Sequence, residues 1–529
     1  MKSRSPRRPQ GRARLGLAAL TVVAAALACS REGVVLPGAG TPLPTVLLDL
    51  AAPTATTPLS LPSATATWAD STQTPMPVWT LPPLASPTFP ATATVLATSS
   101  RSLLYVAQAG DTLRTVAIRF GVAPQDIQAY AGGLPGQGLL NPGQQLIIPS
   151  RLGTTTPVEQ LVPDSEMVYS PAAAAFDPSA FSRRMGGYLA NYQDTSADLG
   201  SGPSILKDLA LDNSINPKIL LTLMEQGSGW VTQPSPSPAL REYPMGILDP
   251  NLKGLVSQLV EATNRLSIGY YGWRDASLLE LKFGDGTSLR LAPNLNAGSV
   301  ALLYYFSLEA ADQASWQRDL QQFLATHKKF FGDPFANVDR FEPLYYPDLK
   351  QPTLELPFLP GQRWALTGGP HGAWEHEGAQ AALDFAPPAV APGCTPSTLW
   401  ATAVAPGLVV RSGGGVVVLD LDGDGQEETG WDILYLHIAS QGRVPVGTRV
   451  ETGDILGHPS CEGGIATGTH VHIARKFNGE WIEAAGPLPF DLSGWVAQGG
   501  NDPYEGSLQR GNDRAVACAC ASFQTLVWR

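Results

Sequence analysis

The sequence predicts a multidomain chain: a small β-α-α-β unit, then a mainly α-helical middle domain, then a C-terminal domain of antiparallel β-sheet. Three observations point there. A chain of 529 residues is too long for one compact core. Its 47 prolines and 54 glycines are spread unevenly, which marks linkers and turn-rich regions. The apolar pattern also changes along the chain, from helical period over about 165–350 to alternating strands with tight turns from about Leu356 onward.

The first 28 residues read as a secretory signal. Lys2, Arg4, Arg7, Arg8, Arg12 and Arg14 precede an apolar run, Leu15–Ala28, that is too short to span a bilayer comfortably. The run ends Ala-Leu-Ala-Cys at 26–29, which resembles a bacterial lipoprotein box with Ala26 where Leu is more usual, so Cys29 is the candidate lipidated N-terminus. Cleavage after Ala28 to give a freely secreted chain is the alternative. Either way the protein is expected outside the cytoplasm, held to the membrane by its lipid or released at the cell wall. Six of the 35 basic residues leave with the signal, so 29 face 46 acids, a net charge near −17. That balance excludes nucleic acid as a partner. Residues 29–102 are rich in Thr, Pro, Ser and Ala and too poor in apolar side chains to offset chain entropy, which predicts a disordered tether.

Residues 103–150 form the small unit, with a strand near Leu104–Ala107, helices over Leu113–Phe120 and near Pro124–Tyr130, and a closing strand Gln145–Pro149. Val106-Ala-Gln-Ala-Gly-Asp-Thr-Leu, Arg119-Phe-Gly-Val and Leu140-Asn-Pro-Gly-Gln-Gln-Leu-Ile-Ile-Pro resemble the lysin motif (LysM). The resemblance implies binding to N-acetylglucosamine-containing glycans such as peptidoglycan.

Residues 165–350 carry amphipathic runs at Ile205–Leu211, Pro217–Gln226, Leu252–Leu266 and Val300–His327. The segment Asn216–Trp230 is similar to the catalytic helix of lysozyme-like transglycosylases, but Gly227 stands where that family has its Glu. The implied middle domain is a degenerate lysozyme-like one. A working muramidase using Glu225 is the alternative, and a buried helix end without any ligand is another.

Residues 356–529 hold the chemistry. His470 and His472 lie in an apolar, β-rich run, and alternate strand residues share a face, so two imidazoles enter one cleft and invite a metal. Upstream stand Gly368-Gly-Pro-His371, Ala382-Leu-Asp384 thirteen residues later, and Leu434-Tyr-Leu-His437. Together these resemble the lysostaphin and β-lytic (staphylolysin-like) Gly-Gly zinc metalloendopeptidases, which cut peptide cross-links in bacterial walls. Four of the seven histidines fall on that family's motif positions.

The resemblance implies that His371, Asp384 and His472 bind one Zn²⁺, that His437 and His470 flank the open position, and that Tyr504 stabilises the intermediate. A bound Zn²⁺ lowers the pKa of its water from about 16 towards about 7, and a nearby imidazole can take or relay the proton. His376 is read as a rim residue, and His327 and His458 as solvated surface.

The oxidising compartment permits disulfides, and Cys394 is paired with Cys461. Cys518 and Cys520 are only two apart, so a mutual bridge would be strained and their state stays open. Asp420, Asp422 and Asp424 resemble the start of a calcium loop, but the twelfth position, where a bidentate Glu belongs, is Trp431. An acidic hairpin turn is therefore preferred to a calcium site.

The function these readings imply is hydrolysis of peptidoglycan peptides by an enzyme held at the wall. A catalytically inactive or autoinhibited relative, acting as a wall-binding protein or as activator of a wall amidase, is the rival. Its cleft would be blocked by Trp374 or the loop 372–380. All three ligands and both flanking histidines are present, which favours the enzyme.

Overall fold

A computed structural model describes residues 102–194, 200–374, 377–388 and 393–529. The signal, Cys29, the tether and His376 lie outside these residues. No helix among the described residues is long and apolar enough to cross a membrane.

The first region pairs β1 (Ser102–Val106) with β3 (Gln145–Pro149), and β3 with the short β2 (Gln128–Ala129). Thr112 and Thr115 cap helix α1 (Leu113–Phe120) reciprocally, and Gly121 ends it in the left-handed conformation. The second helix expected near Pro124–Tyr130 is only a three-residue 3₁₀ turn, Pro124–Asp126. Tertiary pairing overrides helix here, because Gln128 and Ala129 are drawn into the sheet beside Ile147 and Leu146.

The middle region is built on α2 (Gly202–Asn213), α3 (Pro217–Ser228), α4 (Leu255–Arg274), α5 (Ala297–Ser307) and α6 (Gln313–Phe331). The single run expected over Val300–His327 is two helices. Asp312 accepts the amide of Ser315 and restarts the chain as α6, while Ser315 reaches back to the amide of Asp312.

His327, read as solvated, is instead buried between Phe323 and Phe331, at ring distances of 5.9 and 5.3 Å. Its spacing on an amphipathic helix puts it on the apolar stripe, which outweighs the polarity of the ring. His458 is also not freely solvated. Its ring stacks on Trp400 at 3.6 Å, and Nδ1 contacts the Leu399 carbonyl.

The C-terminal region carries a nine-stranded sheet. Its strands are β4 (Arg363–His371), β5 (Ala382–Ala386), β6 (Gly407–Gly413), β7 (Val416–Asp420), β8 (Trp431–Leu436), β9 (Arg449–Val450), β10 (Val471–Phe477), β11 (Glu480–Trp481) and β12 (Leu526–Trp528). The order is β9-β6-β7-β8-β10-β5-β4-β12, with β11 paired to β10, and every pairing is antiparallel. One face packs Val409, Val417, Ile433, Tyr435 and Ile473 into the region's own core. The other face packs Val416, Val418, Leu434 and Ala474 against the apolar side chains of the helical region.

Buried charges tie the regions together. Arg119 of α1 bonds Asp111 at 2.6 Å and the Trp273 carbonyl at 2.7 Å, with its guanidinium over the Trp273 ring. Arg274 contacts the Ala109 carbonyl, Asp164 at 3.0 Å and Glu480 at 2.8 Å, so one guanidinium meets all three regions. A cavity of about 400 Å³ beside it is lined by Thr112 and Gln137 on one side and Trp481 and Glu483 on the other. None of the histidines lines it.

Candidate active site

The central strands β5 and β10 place the site. His472 stands directly opposite Asp384 in their ladder, and Gly368 of β4 is opposite Asp384 on the other side. Register shifts between Leu366 and His371 carry β4 outward, so His371 reaches the same spot from the strand's end. The thirteen-residue gap to Asp384 is the excursion between β4 and β5. The Gly368-Gly369 pair has a steric reason. A Cβ on Gly368 would lie 2.4 Å from Asp384 Oδ2, and one on Gly369 would lie 2.1 Å from the Glu505 carbonyl oxygen.

His371, Asp384 and His472 are buried and converge, each offering a ligand atom within 4.8 Å of the others. His371 Nε2 lies 3.0 Å from His472 Nδ1, and each is 3.3 Å from Asp384 Oδ1. The outer nitrogens are committed elsewhere: His371 Nδ1 to the Gly369 carbonyl at 2.8 Å, and His472 Nε2 to the Ala373 carbonyl at 2.9 Å. A carbonyl oxygen only accepts, so each outer nitrogen carries the hydrogen and each inner one a lone pair. Two lone pairs and a buried carboxylate oxygen that accepts no well-formed hydrogen bond then face one point. Those donors fit a divalent cation of the zinc type. Burial raises the Asp384 carboxyl and protonated imidazoles of His371, His472 and His470 would hold it well below the usual carboxylate range, so the carboxylate calls for positive charge, from those rings or from a bound cation.

His437 and His470 stand together beside this triad, ring centres 4.4 Å apart, with His470 Nε2 3.6 Å from Asp384 Oδ1. His437 Nδ1 donates to the Glu462 carbonyl and His470 Nδ1 to the Gly468 carbonyl, at 3.0 and 2.7 Å. Burial first, and then His470, brings the His437 pKa down to about 4, so its Nε2 holds a lone pair at neutral pH. The His437 backbone sits at φ 66°, a left-handed conformation that costs an ordinary residue on the order of 1–3 kcal/mol. Both the amide and the hydroxyl of Ser460 donate to its carbonyl, at 2.7 and 3.0 Å, and hold it there.

Tyr504 stacks its ring on His371 at 4.1 Å and is about half exposed. The Cys394–Cys461 disulfide joins the segment at 393–395, which receives Thr469, to the Ser460–Glu462 segment that orients His437. Cys518 and Cys520 are also bonded to each other.

The helix that resembles a muramidase helix shows different chemistry. Glu225 is occupied by the turn after α3, accepting the Thr232 hydroxyl at 2.5 Å and its amide at 3.1 Å. At Gly227 a Cβ would fall 2.5 Å from the Met245 carbonyl carbon, so no side chain fits there. The contributors that sequence reasoning missed are the carbonyls of Gly369, Ala373, Glu462 and Gly468. No side-chain pattern marks them, because every residue has a carbonyl.

Residues 105–149 match the LysM domain family, and residues 160–343 match the family described as LasA, N-terminal domain. The chain is 26% identical over 297 residues to Protease LasA of two Pseudomonas aeruginosa strains, covering 52% of this chain and 65% of each relative. It is a LysM-bearing chain similar to LasA. Less than two thirds of the LasA length is spanned.

Among solved structures, the M23 metalloprotease pseudoalterin from the deep sea is 22% identical, over 34% of this chain and 99% of that one, with a TM-score of 0.28. The catalytic domain of lysostaphin from Staphylococcus simulans is 23% identical, over 23% and 89%, with a TM-score of 0.17. In this LasA relative the stretch matching the LasA N-terminal domain covers the helical region and ends before β4, leaving the histidine cluster to the nine-stranded sheet.

Proposed function

We propose that this chain is a zinc-dependent endopeptidase that hydrolyses peptide cross-links of bacterial peptidoglycan, brought to the wall by its LysM region. The observation that carries the reading is the pair of inner imidazole nitrogens of His371 and His472, 3.0 Å apart with lone pairs forced inward, beside Asp384. His371 Nε2, His472 Nδ1 and Asp384 Oδ1 are the atoms that would hold the ion. When bound, zinc acts as a Lewis acid and makes hydroxide available at neutral pH.

The remaining work falls to this chain's own side chains. His437, neutral and donating through Nδ1 to Glu462, presents Nε2 to take the proton of an attacking water. His470, whose Nε2 opens on the same spot, would accept a hydrogen bond from that water and orient it, and the proton taken by His437 would then pass to the leaving amine. The hydroxyl of Tyr504, whose ring stacks on His371, would donate to the oxyanion that develops at the scissile carbonyl. The LysM region holds glycan and raises the local concentration of peptide. Cys29, if lipidated, would tether the whole to the membrane. The helical region, whose α3 has no room for an acid at Gly227, serves as a non-catalytic body.

A second reading is favoured by the excursion after His371. Ala373 and Ala379 pack into the core formed with the helices, and Gly378 packs against Ser267 of α4. In that reading the helical region holds the cleft in a blocked state.

One experiment separates the two: zinc content and release of amino groups from purified peptidoglycan, for the full chain and its His472→Ala variant. About one zinc with hydrolysis, both lost in the variant, supports the peptidase. Zinc without hydrolysis supports the blocked state, and a zinc-free full chain overturns the metallopeptidase.

A further inference from the structure

Where β7 turns into β8, Asp420, Asp422 and Asp424 each present a carboxylate oxygen within 4.8 Å of the others. The loop curls around Asp420, whose Oδ1 accepts the amides of Asp422 and Gly423 and whose Oδ2 accepts that of Gly425, at 3.1, 2.8 and 2.8 Å. Acidic hairpins form such turns without any ion, so the loop by itself decides nothing.

The deciding residue is Asp432. It stands directly opposite Asp420 in the β7–β8 ladder, so the two side chains leave the same face of the sheet. It is completely buried, and neither of its carboxylate oxygens accepts a hydrogen bond. The lysine facing it across the next ladder, Lys476, directs its ammonium to Glu427 at 3.4 Å. Burial pushes the Asp432 carboxyl well above its usual range, and the charges of Glu427, Asp420 and Asp422 add to that against Lys476. A buried carboxylate without a donor, set against further carboxylates, requires a cation or a proton.

We propose that Asp420, Asp422 and Asp424, with Asp432 beneath them supplying buried charge, form a calcium site distinct from the histidine cluster. The donors are all hard oxygens, with no imidazole or thiolate, which selects against zinc. Several carboxylates on a glycine-containing loop give the flexible, oxygen-rich cage that calcium accepts and that magnesium, with its strict octahedron, does not. The objection from sequence was Trp431 at the twelfth position of the loop. The further acid, Asp432, comes one residue later and from a strand, where it adds buried charge rather than a place in the loop's ligand set, and a loop template does not include it.

Trp431 also supplies the assay, since an indole beside the site sensitises terbium luminescence. The full chain, stripped with chelator, would be titrated with Tb³⁺ under indole excitation and then with Ca²⁺, alongside Asp422→Asn/Asp424→Asn, Asp432→Asn and His472→Ala. The expected result is a saturable signal that Ca²⁺ displaces, weakened at least about tenfold in the loop double variant and in Asp432→Asn, and unchanged in His472→Ala. Circular dichroism checks that each variant is folded, and the double variant alters only exposed side chains. Absence of a Ca²⁺-displaceable signal in the parent, or equal signals in the parent and the folded double variant, overturns the site and leaves a cluster that carries protons.

Discussion

His437 combines a left-handed backbone, a ring aimed by the Glu462 carbonyl, and a pKa near 4. None of these holds the triad together. His437→Gln is therefore expected to lower kcat by about 10²–10⁴ while leaving bound zinc unchanged, which turnover and metal analysis on one preparation will show. Gly368→Ala should do the reverse. Its new Cβ intrudes on the Asp384 carboxylate, so zinc affinity should fall roughly 10–100-fold with little change in kcat of the zinc-saturated enzyme, read from a chelator competition titration.

Sequence could nominate His371, Asp384, His437, His470 and His472, because imidazoles and carboxylates are rare enough for their spacing to carry information. It could not nominate the carbonyls that aim them. Nor could it show that the ring of Tyr504 lies flat on His371, because that depends on a left-handed turn at Tyr504 whose amide returns to Pro370.

At the scale of elements, helical period was the dependable signal and ends were not. α1 starts and stops where its capping residues place it, and α3 where Asn216 and Gly229 do. The run over Val300–His327 hid a break, because Leu308–Ala311 are apolar enough to continue the pattern and only the cap at Asp312 interrupts it. Asp312→Ala should cost about 1 kcal/mol of stability, measured as a shift in the denaturant midpoint.

His327 on the same helix is buried with neither ring nitrogen hydrogen-bonded, and burial, with Lys218 adding to it, lowers its pKa from 6.5 to about 4. A depressed base stays neutral in the folded protein while the unfolded chain takes a proton. Its stability is therefore whole above pH 6.5 and is lost as pH falls through about 4, by roughly 3 kcal/mol in all. His327→Phe should flatten that part of the pH–stability curve.

At the scale of the molecule, three regions with separate sequence signatures share buried charge. Composition and pattern separated the regions because each keeps its own period. The joints were illegible because they rest on single buried side chains, such as Arg119 over Trp273 and Arg274 between Ala109, Asp164 and Glu480. Arg274→Met would leave Asp164 and Glu480 buried without their counter-charge, at a cost of about 3–5 kcal/mol, and calorimetry is expected to show one transition in the parent and two in the variant.

The same joints set a length. With the LysM region docked on α4 rather than swinging on a linker, a glycan held by it and the histidine cluster would stand at one separation. Under the proposed function the protein would measure as well as cut. The peptide cross-links it removes from purified peptidoglycan should be spaced at a fixed interval along the glycan strands, a periodicity that loosening the Arg274 joint would blur.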